Sequence, residues 1–188
     1  MEFVQPIRDK RKIEAMKKVL KSESVRDYAL FVLGINSGLR ISDLLALSVD
    51  DVTTETGNIK ERITLKENKT GKTKDFPIGT SAHKALKEYL DTSSLETTSP
   101  LFLSRKGTKA IRREQAYRIL NNAARTVGIK DKIGTHTLRK TFAYHAYKSG
   151  YDLSMIQKLL NHSAPSVTLR YIGITQEEMD DVYLTLNL

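Results

Sequence analysis

Apolar residues recur at helical spacing along most of the chain, and the pattern switches to strand-like alternation once, between Val52 and Ile78. From Asp9 to Ser22, Ile13, Met16, Val19 and Leu20 share one face with lysines between them, so the spacing predicts an amphipathic helix with a basic outer side. Residues 23–37 (ESVRDYALFVLGINS) are the most apolar helical candidate and predict a core helix, with Gly38 as its left-handed terminal residue. Arg40 opens a third helix, RISDLLAL, in which Ile41, Leu44, Leu45 and Leu47 face inward and Arg40 and Asp43 share a face at i and i+3.

In the alternating stretch, Ile63 and Leu65 alternate with Arg62, Thr64 and Lys66, and Phe76 and Ile78 flank Pro77 beyond the turn NKTGK. Thr56-Gly57-Asn58 and Asn68-Lys69-Thr70-Gly71 are turn sequences, which predicts three antiparallel strands with Lys69 at a hairpin tip and Pro77 on an edge strand. Helical spacing returns over Ser81–Asp91 and again over Ile111–Val127. In the second of these, Tyr117, Ile119, Leu120, Ala123 and Val127 face inward, and Arg112, Arg113, Arg118 and Arg125 face outward. Thr135 is placed to cap a helix that carries His136 and Arg139 and closes at Gly150. A helix over Leu153–Asn161 ends at His162, and Ser166, after a break at Pro165, is placed to cap a helix containing Tyr171. Thr175 and Glu178 form a capping box for a last helix, whose Met179, Val182, Tyr183, Leu184 and Leu186 make an apolar stripe. The expected fold is mainly α with a small three-stranded antiparallel sheet, an α+β domain without repeats or an interior boundary.

At 188 residues one domain can bury a substantial core. No apolar run approaches the roughly 20 residues a bilayer span needs, and the N-terminus MEFVQPIRDKRK lacks the apolar centre of a signal peptide. The absence of cysteine excludes a disulfide framework and a thiolate metal site. A cytoplasmic location with no membrane partner is expected. Charge changes the picture further, because the net +9 is unevenly placed. Residues 174–188 hold four acids and no lysine or arginine, which leaves +13 on the rest. Residues 8–21, 60–74 and 104–118 hold 7, 6 and 6 basic residues against 2, 2 and 1 acidic ones. Three basic segments framing one domain suggest the footprint of a polyanion, with a merely solvated basic surface as the plainer reading.

The chemistry-bearing residues are weak signals one at a time. An arginine after a Gly-Leu turn can be a surface helix starter, a lysine in a hairpin can be a solubilising turn residue, and Tyr171 is one of eight tyrosines. Their order is more telling: Arg40 in SGLRISDLLAL, Lys69 in ITLKENKTGKTKDFPI, His136 and Arg139 in THTLRKTFA, and His162 and Tyr171 in LLNHSAPSVTLRYIG. Together these resemble the catalytic domain of the tyrosine recombinase family, the phage integrases and Xer-type recombinases. The resemblance covers about Ile7 to Gly173, and the nine-residue spacing from His162 to Tyr171 is its most specific element.

The resemblance implies that Arg40 and Arg139 bind the non-bridging oxygens of a scissile DNA phosphate, with His136 as the proton-managing imidazole. It implies Lys69 as general acid for the departing 5′-hydroxyl, His162 as a phosphate hydrogen-bond donor, Tyr171 as nucleophile and Asp43 as a supporting acid. Two guanidiniums offer forked donors that lysine cannot match, and each well-placed donor is worth on the order of 2–4 kcal/mol to the transition state. A phenol with a pKa near 10 needs activation, and the alkoxide leaving group needs a proton. Such a reaction requires no metal and no nucleotide cofactor. Lys66, Lys69, Lys72 and Lys74 crowd the hairpin, and N-K-T-G fits the family turn at Lys69. Lys72, Lys74, Arg105, Lys106, Arg112 and Arg113 are expected to contact DNA. The family usually has glycine where Asn161 stands before His162.

The resemblance further implies a catalytic domain over residues 1–173 and a helical tail over 174–188 that docks on a neighbouring protomer. It implies that the family's N-terminal core-binding and arm-binding domains are absent, as in a truncated form or a short member. The expected partners are double-stranded DNA, further copies of the chain in a tetramer on DNA, and accessory DNA-bending or excision factors. The expected function is integration or excision of a mobile element through a 3′-phosphotyrosyl intermediate. A type IB topoisomerase-like DNA relaxation and a non-catalytic DNA-binding regulator are the alternatives.

Overall fold

A computed structural model describes residues 4–174 and 176–186. The order of elements is α1 (Lys10–Glu23), α2 (Val25–Ser37), α3 (Ile41–Ala46), α4 (Val49–Val52), β1 (Arg62–Lys66), β2 (Thr73–Pro77), α5 (Thr80–Asp91), α6 (Arg113–Thr126), α7 (Thr135–Lys148), α8 (Leu153–Leu159), α9 (Pro165–Ile172) and α10 (Gln176–Leu186). Among the described residues no helix is long and apolar enough to cross a membrane.

Helix α2 is the centre of the core. Ser24 caps it, with its hydroxyl accepting from the Asp27 amide, and Ala29, Leu30, Phe31, Val32 and Leu33 are all buried. A helix apolar on nearly every side must be covered on nearly every side, and α1, α5 and α7 do this. Helix α7 crosses it closely at Gly34, where a Cβ would stand 2.6 Å from a Leu138 methyl carbon. That approach brings Arg139, the residue after Leu138, to the C-terminal end of α2. There Gly38 takes the left-handed conformation (φ 61°), as the sequence predicts, and a Cβ on it would meet the Phe142 ring at 2.7 Å.

The sheet has two strands among the described residues, not the expected three. β1 and β2 pair antiparallel, Ile63 opposite Phe76 and Leu65 opposite Lys74. The expected first strand instead contributes α4 and one isolated bridge, Thr53 to Ile59. Helix α4 ends at Val52 and the chain turns back at once, with the Gly57 amide donating to the Thr54 carbonyl and the Thr54 amide to the Asn58 carbonyl, which leaves a single bridge in place of a ladder.

Three further readings are corrected. Gly134, not Thr135, is the N-cap of α7, and the Thr137 hydroxyl accepts from its amide at 3.0 Å. Ala164, not Ser166, caps α9, and Pro165 occupies the first turn, where its missing N–H costs no hydrogen bond. Tyr117 is 44% exposed and does not join the core face of α6. The capping box expected at Thr175 lies outside the described residues.

A second, smaller cluster of Ala143, Tyr144, Ile156, Leu160 and Ile172 joins α7, α8 and α9. The N-terminal segment straps the same region. The Ile7 amide donates to the Thr141 hydroxyl at 2.9 Å, and an Arg8 guanidinium nitrogen donates to the Gly173 carbonyl at 3.0 Å, at the end of α9. Helix α9 itself buries only Thr168 and Ile172. An element with so few apolar contacts moves at low free-energy cost.

Candidate active site

Five of the six expected site residues form one cluster. Tyr171, on the last turn of α9, directs its hydroxyl to Nδ1 of His136, 3.3 Å away on the first turn of α7. Its ring lies 4.7 Å from the His162 ring, centroid to centroid, and the Arg139 guanidinium carbon stands 5.9 Å from the ring centre. Arg40 enters from the start of α3 and is linked to Arg139 through Glu67, the residue after β1. The sixth, Lys69, is exposed on the hairpin turn and makes no hydrogen bond or ion pair among the described residues. The structure places it on the element that carries Glu67, two residues further along.

Arg139 is 1% exposed. It donates to the Gly38 carbonyl at 2.7 Å and to the Leu160 carbonyl, so α7 is tied by one guanidinium to the ends of α2 and α8. The left-handed turn at Gly38 is what aims that carbonyl inward. The Nε of Arg139 is buried without a hydrogen-bond partner among the described residues, as are Arg40 Nη1, Asp43 Oδ2 and Glu67 Oε1. Buried polar atoms are seldom left unpaired, and these four lie on the two arginines and the two carboxylates beside them. Burial, followed by the nearby Arg40 charge, lowers the Arg139 pKa to about 10, and it stays charged at neutral pH.

Both imidazoles are held neutral. Burial pushes His136 below its ordinary range, helped by the positive charges of Arg113, Arg139, Lys140 and Lys69. A neutral ring can accept the phenolic proton at Nδ1. Burial and the Arg139 and Arg40 charges push His162 down to about 4, and its Nδ1 is 2.9 Å from the buried Thr168 hydroxyl. In the tautomer in which the Thr168 hydroxyl donates to Nδ1, the other ring nitrogen carries the proton.

The low His162 pKa has a consequence for stability. The unfolded chain takes up a proton at this residue near pH 6.5 and the folded chain only near pH 4, so the contribution is complete above 6.5 and is lost as pH falls towards 4. Wild type is expected to lose more thermal stability than His162→Asn across that window, measured as the difference between their melting midpoints. Parallel midpoints from pH 6.5 to 4 would contradict the burial of this ring.

Lys74 departs from expectation. Only 8% exposed, its amine donates to the Ser37 carbonyl at 3.0 Å, so it is not a surface DNA contact. The alternation of β2 turns it inward beneath the arginines, where burial and then the Arg139 charge lower its pKa to about 8. Lys72, Arg105, Lys106, Arg112 and Arg113 are exposed. Arg113 donates weakly to the Thr135 hydroxyl at 3.4 Å, at the end of α7 that carries His136.

Sequence reasoning missed Glu67. Its residue is 1% exposed in the midst of a basic hairpin, and it continues the inward register of Ile63 and Leu65, which was the available signal. The role of Asn161 also changes. It is the non-glycine residue with positive φ (49°) among those described, so asparagine adopts the left-handed turn that glycine would otherwise supply. The Asp43 carboxylate accepts from the Asn68 backbone amide at 2.9 Å, joining α3 to the hairpin.

Residues 8–178 match the model of the phage integrase family. The probable integrase/recombinase YoeC of Bacillus subtilis (strain 168) is 45% identical over 183 residues, 97% of each chain. The tyrosine recombinase XerC of Thermodesulfovibrio yellowstonii is 37% identical over 84% of this chain and 53% of its own, so the chain spans about half the length of that relative. Among solved structures, XerA recombinase is similar with a TM-score of 0.79 at 21% identity, over 100% of this chain and 67% of that one. A XerH site-specific recombinase bound to palindromic difH substrate in a post-cleavage complex gives 0.74 at 20% identity, over 100% of this chain and 54% of that one.

Proposed function

The chain belongs to the phage integrase family of tyrosine recombinases, and from that premise we propose that its pocket cuts and rejoins DNA through a bond between Tyr171 and a 3′-phosphate. The observation that carries the reading is the Tyr171 hydroxyl, hydrogen-bonded to a neutral His136 beside the buried guanidinium of Arg139.

In this reading Tyr171 Oη attacks phosphorus and its proton passes to His136 Nδ1. Arg40 and Arg139 face the non-bridging oxygens, where negative charge grows, and His162 adds a neutral donor. The P–O5′ bond breaks, and Lys69, carried over by the hairpin, protonates the departing 5′-oxygen. The phosphotyrosine conserves the bond energy, so an incoming 5′-hydroxyl reverses the steps and reseals a strand. Low anchoring of α9 lets Tyr171 move into line with that bond.

The substrate is duplex DNA, and the outcome is integration or excision of a mobile element in the cytoplasm, with accessory DNA-bending or excision factors as further partners. Lys72, Arg105, Lys106, Arg112 and Arg113 contact its phosphates. A nicked suicide duplex bearing candidate attachment DNA tests the proposal: the nick lets the cleaved fragment diffuse away and traps the intermediate. A protein–DNA adduct on a denaturing gel, with release of a 5′-hydroxyl end, is the expected result, and its absence on every attachment sequence would refute it.

Assembly is part of the same proposal. The described outer residues of α10, Val182, Tyr183, Leu184 and Leu186, are 54–82% exposed, while Glu178 pairs with Lys148 of α7 at 2.5 Å. A helix tethered at its start with apolar side chains open to solvent is suited to dock on a neighbouring copy in a tetramer on DNA. A chain ending at Gly173 is expected to bind single sites but to lose higher-order complexes on native gels. Unchanged assembly would remove the tail from this role.

A further inference from the structure

We infer that Glu67 is a positioning residue for the phosphate site: its buried carboxylate holds Arg40 beside Arg139 and joins both to the lysine hairpin and the Asn161 turn before DNA arrives. The inference rests on the reading of the pocket as a phosphodiester site.

A carboxylate costs much free energy to bury unless charges and donors surround it. Glu67 Oε2 lies 2.9 Å from Arg40 Nη1, and the same oxygen accepts from the Thr70 hydroxyl at 2.7 Å and from the Asn161 side-chain amide at 3.1 Å. Its other oxygen stands 3.9 Å from Arg139 Nη1. One side chain therefore touches α3 through Arg40, its own hairpin through Thr70, α7 through Arg139 and the turn before His162 through Asn161. Against the cost of its burial, the Thr70 hydroxyl, Arg40 and the Asn161 amide hold its pKa below the ordinary carboxylate value, and its charge offsets the repulsion between the two guanidiniums.

The arginines are held differently. Arg139 has the Gly38 and Leu160 carbonyls as well, whereas Arg40 has its ion contact to Glu67 at 2.9 Å and a longer one of 4.0 Å to Asp43. Arg40 Nη1 is buried against the Glu67 carboxylate, so this ion contact is what holds the guanidinium in place. Asn161 contributes twice. Its backbone supplies the left-handed turn and its side chain reaches Glu67 across 94 residues of sequence. Glycine would supply the first and not the second.

Glu67→Gln keeps the size and an acceptor oxygen while removing the charge. In one arm, phenylglyoxal modification without DNA is located by peptide mapping. Arg40 is expected to react at least about fivefold faster in the variant, while Arg26, buried with Asp27, reacts at the wild-type rate and reports an intact fold. In the other arm, the variant is expected to bind uncut duplex within about threefold of wild type but to form the suicide adduct at least about tenfold more slowly. Asn161→Gly is expected to slow the adduct less and to add no further loss in the double variant. Unchanged Arg40 reactivity, or wild-type adduct formation by Glu67→Gln, would overturn the inference, and additive losses would overturn the Asn161 tether. Were wild type itself to form no adduct, the proposed function would fail, while the DNA-free arm would still decide whether Glu67 holds Arg40.

Discussion

Tyr171→Phe is expected to form no covalent adduct with a suicide duplex while binding the uncut DNA as tightly as wild type. The substitution removes one oxygen. The ring keeps its place beside His162, 4.7 Å between centroids, and under the Arg139 guanidinium, so neither the small core of α7, α8 and α9 nor the DNA surface changes. What is lost is the nucleophile and its 3.3 Å contact with His136. Removing a nucleophile costs on the order of 10⁶-fold where its effect has been isolated in other enzymes, far below detection on a gel. The check is an adduct assay beside a binding titration, with the melting midpoint as a control. A residual adduct would move the nucleophile to another tyrosine and sink the assignment.

Arg139→Lys is the second large effect, and it is expected on two quantities at once. Adduct formation should fall by about 10²–10³-fold, since a single ammonium cannot reproduce forked donors to a phosphate as charge develops on its oxygens. Stability should fall as well, by about 2–4 kcal/mol, because the Gly38 and Leu160 carbonyls both accept from this guanidinium inside the protein, and a buried acceptor left unpaired costs about 1–3 kcal/mol. Denaturant melts measure the second and single-turnover cleavage at saturating DNA the first. An equal fall in activity at a temperature where the variant is fully folded assigns the loss to the chemistry. A variant that cleaves at the wild-type rate would reduce Arg139 to a structural tie.

The two predictions draw on different kinds of legibility. The nucleophile was legible only through the resemblance to the tyrosine recombinases, whose nine-residue spacing His162 and Tyr171 share; by itself Tyr171 is one of eight tyrosines. Gly38 was readable too, since a helix that ends at a glycine commonly does so in the left-handed conformation it was found to have. The third strand was not readable. Its residues have turn sequences around them, but the chain folds back within residues 54–58 directly after α4, so only the bridge from Thr53 to Ile59 forms. The caps of α7 and α9 were displaced by one and two residues because Gly134 and Ala164 adopt the extended cap conformation without a capping side chain. Helix ends are defined by backbone geometry, of which a capping residue type is only a frequent companion.

The hairpin lysines show the limit most clearly. Lys66, Lys69, Lys72 and Lys74 look alike as residues, yet Lys74 is buried with its pKa lowered to about 8 and the other three are exposed. Alternation along the strands says that neighbours differ in facing; it does not say which face the rest of the chain will cover. Glu67 is the same lesson with opposite charge.

The amino-acid sequence by itself determined the mainly helical class, the basic surface, and the identity and order of the residues with chemistry in them. Helical periodicity, capping preferences and charge are local properties, each readable within a few residues. Only the tertiary structure decided that Arg40, Arg139 and Asn161 meet at one carboxylate, that both imidazoles are neutral, and that Lys69 and Lys74 part company. Those facts depend on burial and on distances between segments far apart in the chain, 94 residues for Glu67 and Asn161 and 101 for Gly38 and Arg139, and free energies of desolvation and pairing exist only once packing has brought the partners together.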